Sequence, residues 1–127
     1  MKRTSFVALT ATLLGASTLS QAHHSTNLWY DVSTTQTIEG TFKDMLWINP
    51  HTVLHVVVQK PSGEQETWSI ETHANAVLAR AGWRPNQFQA GEKVTVIGNP
   101  SRKGLTQLSL LEVKTADGRD FKVNAAK

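Results

Sequence analysis

Two β-forming runs, His51 to Lys60 and Glu64 to Thr72, flank the tripeptide Pro61-Ser62-Gly63, and this segment constrains the fold more than any other. Pro and Ser suit a type I turn, and Gly suits the left-handed position that closes a three-residue hairpin loop. That turn places Lys60 opposite Glu64. Leu54 then faces Ile70 and Val56 faces Trp68 on an apolar side. Val57 faces Thr67, His55 faces Ser69 and His51 faces His73 on a polar side. A slip of one residue would scramble both sides, so turn chemistry and face pattern specify the same register.

The flanking sequence extends the hairpin into a small β-rich domain. Thr37 to Ile48 reads as a long strand that Asn49-Pro50 ends, with Gly40 marking a bulge or bend inside it. The polar stretch His23 to Gln36 reads as a lead-in. Asn75 is the expected N-cap, and Gly82 the expected stop, of a short helix through Val77, Leu78 and Ala81. Glu92 to Gly98 and Leu105 to Thr115 read as strands joined by a polar turn. A last short strand is expected at Asp120 to Val123, after Ala116-Asp117-Gly118. Three strands, a helix and further strands are the element order of a small OB-fold-like antiparallel β-barrel, with the helix between the third and fourth strands. A rolled antiparallel sandwich is the alternative. Trp29, Trp47, Trp68 and Trp83 are expected to supply much of the core.

Residues 1–22 have the layout of a secretory signal. Lys2 and Arg3 precede an apolar run from Phe6 to Ala16, and Ser20-Gln21-Ala22 fits a small-x-small cleavage site. The run is shorter than the roughly 20 apolar residues a membrane-spanning helix needs. The expectation is therefore export to the periplasm and a single domain of residues 23–127, with no membrane attachment after cleavage. The chain has 13 Lys+Arg against 10 Asp+Glu, and two of those cations lie in the leader, leaving 11 against 10 in the mature part. A near-neutral domain gives no support to nucleic-acid binding, which calls for a clustered basic face. With no cysteine, stability in an oxidising compartment has to come from the core.

Cleavage after Ala22 would free the α-amine of His23, which titrates at about 7.7 to 8.0 and is readily deprotonated for a metal. Amine and imidazole of one residue can close a chelate ring. One further imidazole would complete a T-shaped set of three nitrogens, similar to the histidine brace of copper proteins. Nitrogen-rich sites favour copper among the divalent ions. The hairpin offers partners: opposed residues have Cβ atoms about 4.5 to 5.5 Å apart, so His51 and His73 could reach one ion. Glu71, diagonal to His51, is a candidate ligand or an acceptor behind the ligand. His55 lies roughly 13 Å from His51 along the strand at 3.3 Å per residue, so the two cannot share an ion. His55 reads as a surface histidine beside Ser69. His24 could join through the amine, the intervening amide and its own imidazole, a chelate that needs no fold. Each of these histidines also has a bland reading: solvated terminus for His23 and His24, turn closure for His51, and a structural or exposed position for His73. Asp31 reads as a cap or turn residue.

No Gly-x-Ser-x-Gly elbow, phosphate-cradling Gly-rich loop, His-Glu-x-x-His or paired carboxylates appear. His23-His24-Ser25, Trp47-Ile48-Asn49-Pro50-His51, Trp68-Ser69-Ile70-Glu71, Leu78-Ala79-Arg80-Ala81-Gly82-Trp83 and Gly91-Glu92-Lys93-Val94-Thr95-Val96 together resemble a family of small bacterial exported proteins catalogued as a domain of unknown function. The resemblance covers nearly all of the mature chain. It implies a periplasmic β-rich domain and no established activity. Its pairing of a His-His-Ser start with Asn-Pro-His implies a site built from His23, His24 and His51. Where that family commonly has Gly-His-Pro, this chain has Gly98-Asn99-Pro100, and His73 falls outside the pattern.

Three functions follow as expectations. The first is a periplasmic copper-binding protein for copper handling or tolerance, with His23, His24, His51, His73 and Glu71 as candidate ligands. The second is a non-metal module that holds an envelope glycan or a protein partner on an open face with Trp29, Tyr30 and Trp47. The third is a copper-dependent oxidase or oxygenase, for which the sequence offers neither an open metal position nor a substrate surface.

Overall fold

The computed structural model describes residues 22–123, with side chains from Thr26 onward. The proposed leader, apart from its last residue Ala22, therefore lies outside the described residues, as do the side chains of His23 and His24. The elements are α1 (Ala22–Trp29), β1 (Gln36–Leu46), β2 (Val53–Gln59), β3 (Gln65–Glu71), α2 (Asn75–Arg80), β4 (Lys93–Pro100), β5 (Gln107–Thr115) and β6 (Asp120–Lys122).

Neighbouring strands run β3-β2-β1-β4-β5-β6, and a further pairing of β3 with β5 closes the first five into a barrel. That closing pair is parallel, with Ser69 beside Gln107 and Glu71 beside Ser109, whereas the other strand pairs are antiparallel. The barrel is thus mixed and OB-fold-like, with α2 between the third and fourth strands. Closure rules out the rolled sandwich.

The hairpin has the register its sequence specifies: Leu54 pairs with Ile70, His55 with Ser69, Val56 with Trp68 and Val57 with Thr67. Gly63 closes the turn at φ 88°, and the Lys60 N–H donates to the Glu64 carbonyl at 2.8 Å. The register breaks at the open end. Thr72 N–H donates to the Thr52 carbonyl at 2.9 Å, while Thr52 N–H donates to the His73 carbonyl at 3.0 Å. Two residues thus oppose one, a bulge that takes His73 out of direct opposition to His51.

A second bulge lies in β1, between Phe42 and Asp44. Gly40 has another role: a Cβ there would sit 2.5 Å from the Val57 carbonyl oxygen and 2.7 Å from Val56 Cγ1. It permits β1 to press against β2, the close approach that a strand glycine often marks.

The lead-in is helical from Ala22, contrary to the sequence reading. Its composition, AHHSTNLW, carries little helix preference. Contacts from the β4–β5 loop hold its end: Arg102 donates from its backbone N–H to the Trp29 carbonyl at 2.9 Å and from Nε to the Asn27 carbonyl at 2.9 Å. A cation satisfying the last carbonyls also complements the helix dipole.

At α2 the cap is Ala74, not Asn75, and it makes no side-chain cap bond. Instead Asn49, in the β1–β2 loop, accepts the Asn75 N–H on Oδ1 at 3.3 Å. Gly82 ends the helix at φ 91°. Its N–H reaches Ala79 and the Trp83 N–H reaches Leu78, both through carbonyls.

Buried Trp83 centres an aromatic cluster: Phe88 lies 6.0 Å and Phe121 5.6 Å from it, ring to ring, and Phe42 lies 5.3 Å from Phe88. Trp47 and Trp68 pack at the core's edge, whereas Trp29 is 53% exposed and belongs to the surface. Among the described residues, no helix is long and apolar enough to cross a membrane.

Candidate functional site

α1, the β1–β2 loop and the end of β3 converge on a cleft of about 330 Å³ lined by Thr26, Trp29, Tyr30, His51, Glu71 and Gln107. Tyr30 enters because the chain pairs with the end of β4 just after α1. Tyr30 forms an isolated bridge with Ser101, and the Asp31 N–H donates to the Pro100 carbonyl at 2.8 Å. Asp31 makes the turn its sequence suggests, accepting the Ser33 N–H at 3.2 Å and the Ser33 hydroxyl at 2.6 Å. Glu71 is the last residue of β3, and His51 immediately precedes the bulge at Thr52. His73 is out of opposition there, and the His51 imidazole meets Glu71.

The central feature is a chain of three polar side chains. The Tyr30 hydroxyl donates to Glu71 Oε2 at 2.6 Å. His51 Nδ1 contacts the other oxygen, Glu71 Oε1. A carboxylate can only accept, so the imidazole carries a proton on Nδ1, and its neutral form keeps a lone pair on Nε2. Tyr30 is 6% exposed. Burial pushes its phenol well above the usual range, and the hydrogen bond to Glu71 and that group's charge push it further. Tyr30 is therefore a fixed donor throughout the neutral range.

The other candidates are placed as follows. His23 and His24 lie in the first turn of α1 by backbone, with side chains outside the described residues. Position 23 lies in the same helix as Thr26 and Trp29, which line the cleft. His73 follows β3, and its carbonyl serves the bulge. His55 sits apart in β2, with Nδ1 2.5 Å from Asp44 Oδ1. Trp29 lines the cleft under Lys103, whose Nζ lies 4.4 Å from the ring centroid. Trp47 does not line the cleft and packs on the core. Among the described residues, no group of three or more His, Asp or Glu side chains could hold a metal ion.

Sequence reasoning placed Tyr30 on an open binding face but missed its bond to Glu71, 41 residues away, which has no local signal. It also missed the Asp44–His55 pair, which depends on the β1 bulge. A larger concavity of about 690 Å³, lined by residues such as Glu39, Gln59, Gln65 and Lys93, carries no imidazole and no aromatic ring, so the chemistry concentrates in the smaller cleft.

The model of the family of unknown function DUF6152 matches residues 11–109, most of the chain, and the protein belongs to that family. The match takes in α1 through β4 and enters β5. No curated protein matches the chain.

Proposed function

We propose that the exported, processed protein binds copper in the periplasm, through the α-amine and imidazole of His23 together with Nε2 of His51. The observation that carries this reading is the Glu71-bound orientation of His51. A carboxylate on Nδ1 that leaves Nε2 free is the arrangement found behind metal-bound imidazoles, where it fixes the tautomer and raises basicity. Glu71 acts behind the ligand in this account. Position 23 lies in α1, the helix whose Thr26 and Trp29 line the same cleft as His51, which adds support. His24 offers the alternative amine-and-amide chelate, its imidazole then standing in place of that of His23. Nitrogen donors of this kind select copper over the other divalent ions by intrinsic affinity. The role is copper handling or tolerance.

Processing is what creates the site. The precursor has an amide where the mature chain has an amine, so copper binding begins only after cleavage. The test is a Cu(II) titration of the mature protein, followed by tryptophan fluorescence, with intact mass reporting the first residue and the stoichiometry. Binding tighter than micromolar is expected. One extra residue before His23 is expected to weaken it at least about tenfold, or about 1.4 kcal/mol. Absence of binding tighter than micromolar overturns the reading. Indifference to the extra residue overturns the amine ligand.

A second reading draws on the exposed apolar side chains. Leu28, Trp29, Ile48 and Leu105 are each at least half exposed. They lie on α1, the β1–β2 loop and the β4–β5 loop, and those two loops are the ones with which OB-folds hold ligands. Capture of an envelope glycan or protein partner that survives metal chelation would favour this reading.

A further inference from the structure

We propose that Tyr30 is a positioning residue of this site: its hydroxyl locks the Glu71 carboxylate and thereby fixes which nitrogen of His51 is offered to a ligand. The consequence for copper rests on the reading above, whereas the positioning itself does not.

A glutamate at a strand end has three side-chain torsions, and one contact to His51 leaves the carboxylate free to turn. In this protein both oxygens are engaged, Oε1 by His51 and Oε2 by Tyr30 at 2.6 Å. Charge-assisted hydrogen bonds of this kind are short and directional. Tyr30 is itself held by backbone: its N–H donates to the Thr26 carbonyl at 2.8 Å, and it bridges to Ser101. The phenol is thus an anchored donor, Glu71 is oriented by it, and His51 is oriented by Glu71. His51, 46% exposed at its side chain, has little packing of its own to settle its ring.

Tyr30 also closes the residue stretch that joins α1 to the barrel. The same side chain therefore links the helix bearing position 23 to the carboxylate that sets His51. A phenylalanine would keep the ring and its burial while removing the hydroxyl, so the positioning effect separates from packing.

The test uses the mature protein with ¹⁵N-labelled histidine, free of metal, and reads two-bond ¹H–¹⁵N correlations of the His51 ring. Wild type is expected to show one neutral tautomer, protonated on Nδ1. Tyr30→Phe is expected to shift His51 toward a tautomer mixture with little change in Tm. Cu(II) affinity should fall about 10- to 100-fold, the usual range for loss of a group behind a ligand, and the EPR parameters should change. Glu71→Gln should do the same, and the double variant should add little. If Tyr30→Phe does not fold, 3-fluorotyrosine at position 30 keeps the shape, acidifies the phenol and must still move the His51 signals. Unchanged His51 nitrogen shifts overturn the proposal, whatever copper does. If the shifts move but wild type binds no copper, the positioning role stands and the copper reading falls.

Discussion

His51 and His55 stand four residues apart, and each has a carboxylate on Nδ1, yet their settings differ. His55 meets Asp44 from the adjacent strand at 2.5 Å and is the less exposed of the two, with 24% of its side chain accessible against 46% for His51. It faces Ser69 on the barrel wall, so both of its cross-strand neighbours belong to one sheet. His51 sits where a loop, a strand end and a helix end meet, and its carboxylate is held in turn by Tyr30. The comparison teaches that burial and a carboxylate do not make a site. A cross-strand pair within one sheet contributes to holding that sheet. A pair at the junction of three elements lines a cleft that a second chain segment, α1, also lines.

The comparison can be broken most directly through copper. His51→Ala in the mature protein is expected to lower Cu(II) affinity by about 100-fold or more, as loss of a ligand must exceed the 10- to 100-fold typical of groups behind one. His55→Ala is expected to leave it within about twofold, below about 0.4 kcal/mol. Equal losses, measured by competition with a chromophoric chelator, would erase the distinction. Stability should rank the pair the other way. His55→Ala is expected to cost about 1 kcal/mol, the scale of a favourable cross-strand pair, and His51→Ala less than about 0.5 kcal/mol, as for an exposed ion pair. Urea denaturation of the metal-free variants measures both, and a larger cost at His51 would contradict the assignment.

The smallest effect sharpens the role of Tyr30. Burial, then its bond to Glu71, raise its folded pKa. The folded state thus keeps a proton that the unfolded chain releases near pH 10. Its contribution to stability is intact below about pH 10 and falls as pH rises further. Tyr30→Phe should flatten this alkaline loss in denaturation curves collected from about pH 9 to 11. An unchanged slope would mean the phenol is not held as described.

The hairpin register was legible because two local signals, Pro61-Ser62-Gly63 and the alternating faces, demanded the same pairing. The barrel followed from element order. What escaped the sequence depends on single inserted residues or on distant partners. The bulge at Thr52 took His73 out of opposition to His51, and the bulge between Phe42 and Asp44 shifted the β1–β2 pairing so that Asp44 meets His55. Such irregularities leave the apolar pattern nearly intact, so periodicity does not report them. α1 escaped because Arg102, about 75 positions away, satisfies its last carbonyls. Trp83 is core as expected, whereas nothing local marked Trp29 as surface. Of the candidate site, Glu71 beside His51 was legible from strand geometry, whereas Tyr30 as its third member was not.

The central claim is that His51 and the processed amino terminus bind one copper ion. Electron spin-echo modulation of the Cu(II)-loaded mature protein counts the imidazoles on that ion through their remote nitrogens. The account predicts two in wild type and one in His51→Ala, with the count unchanged in His55→Ala. A count that His51→Ala leaves untouched would contradict it.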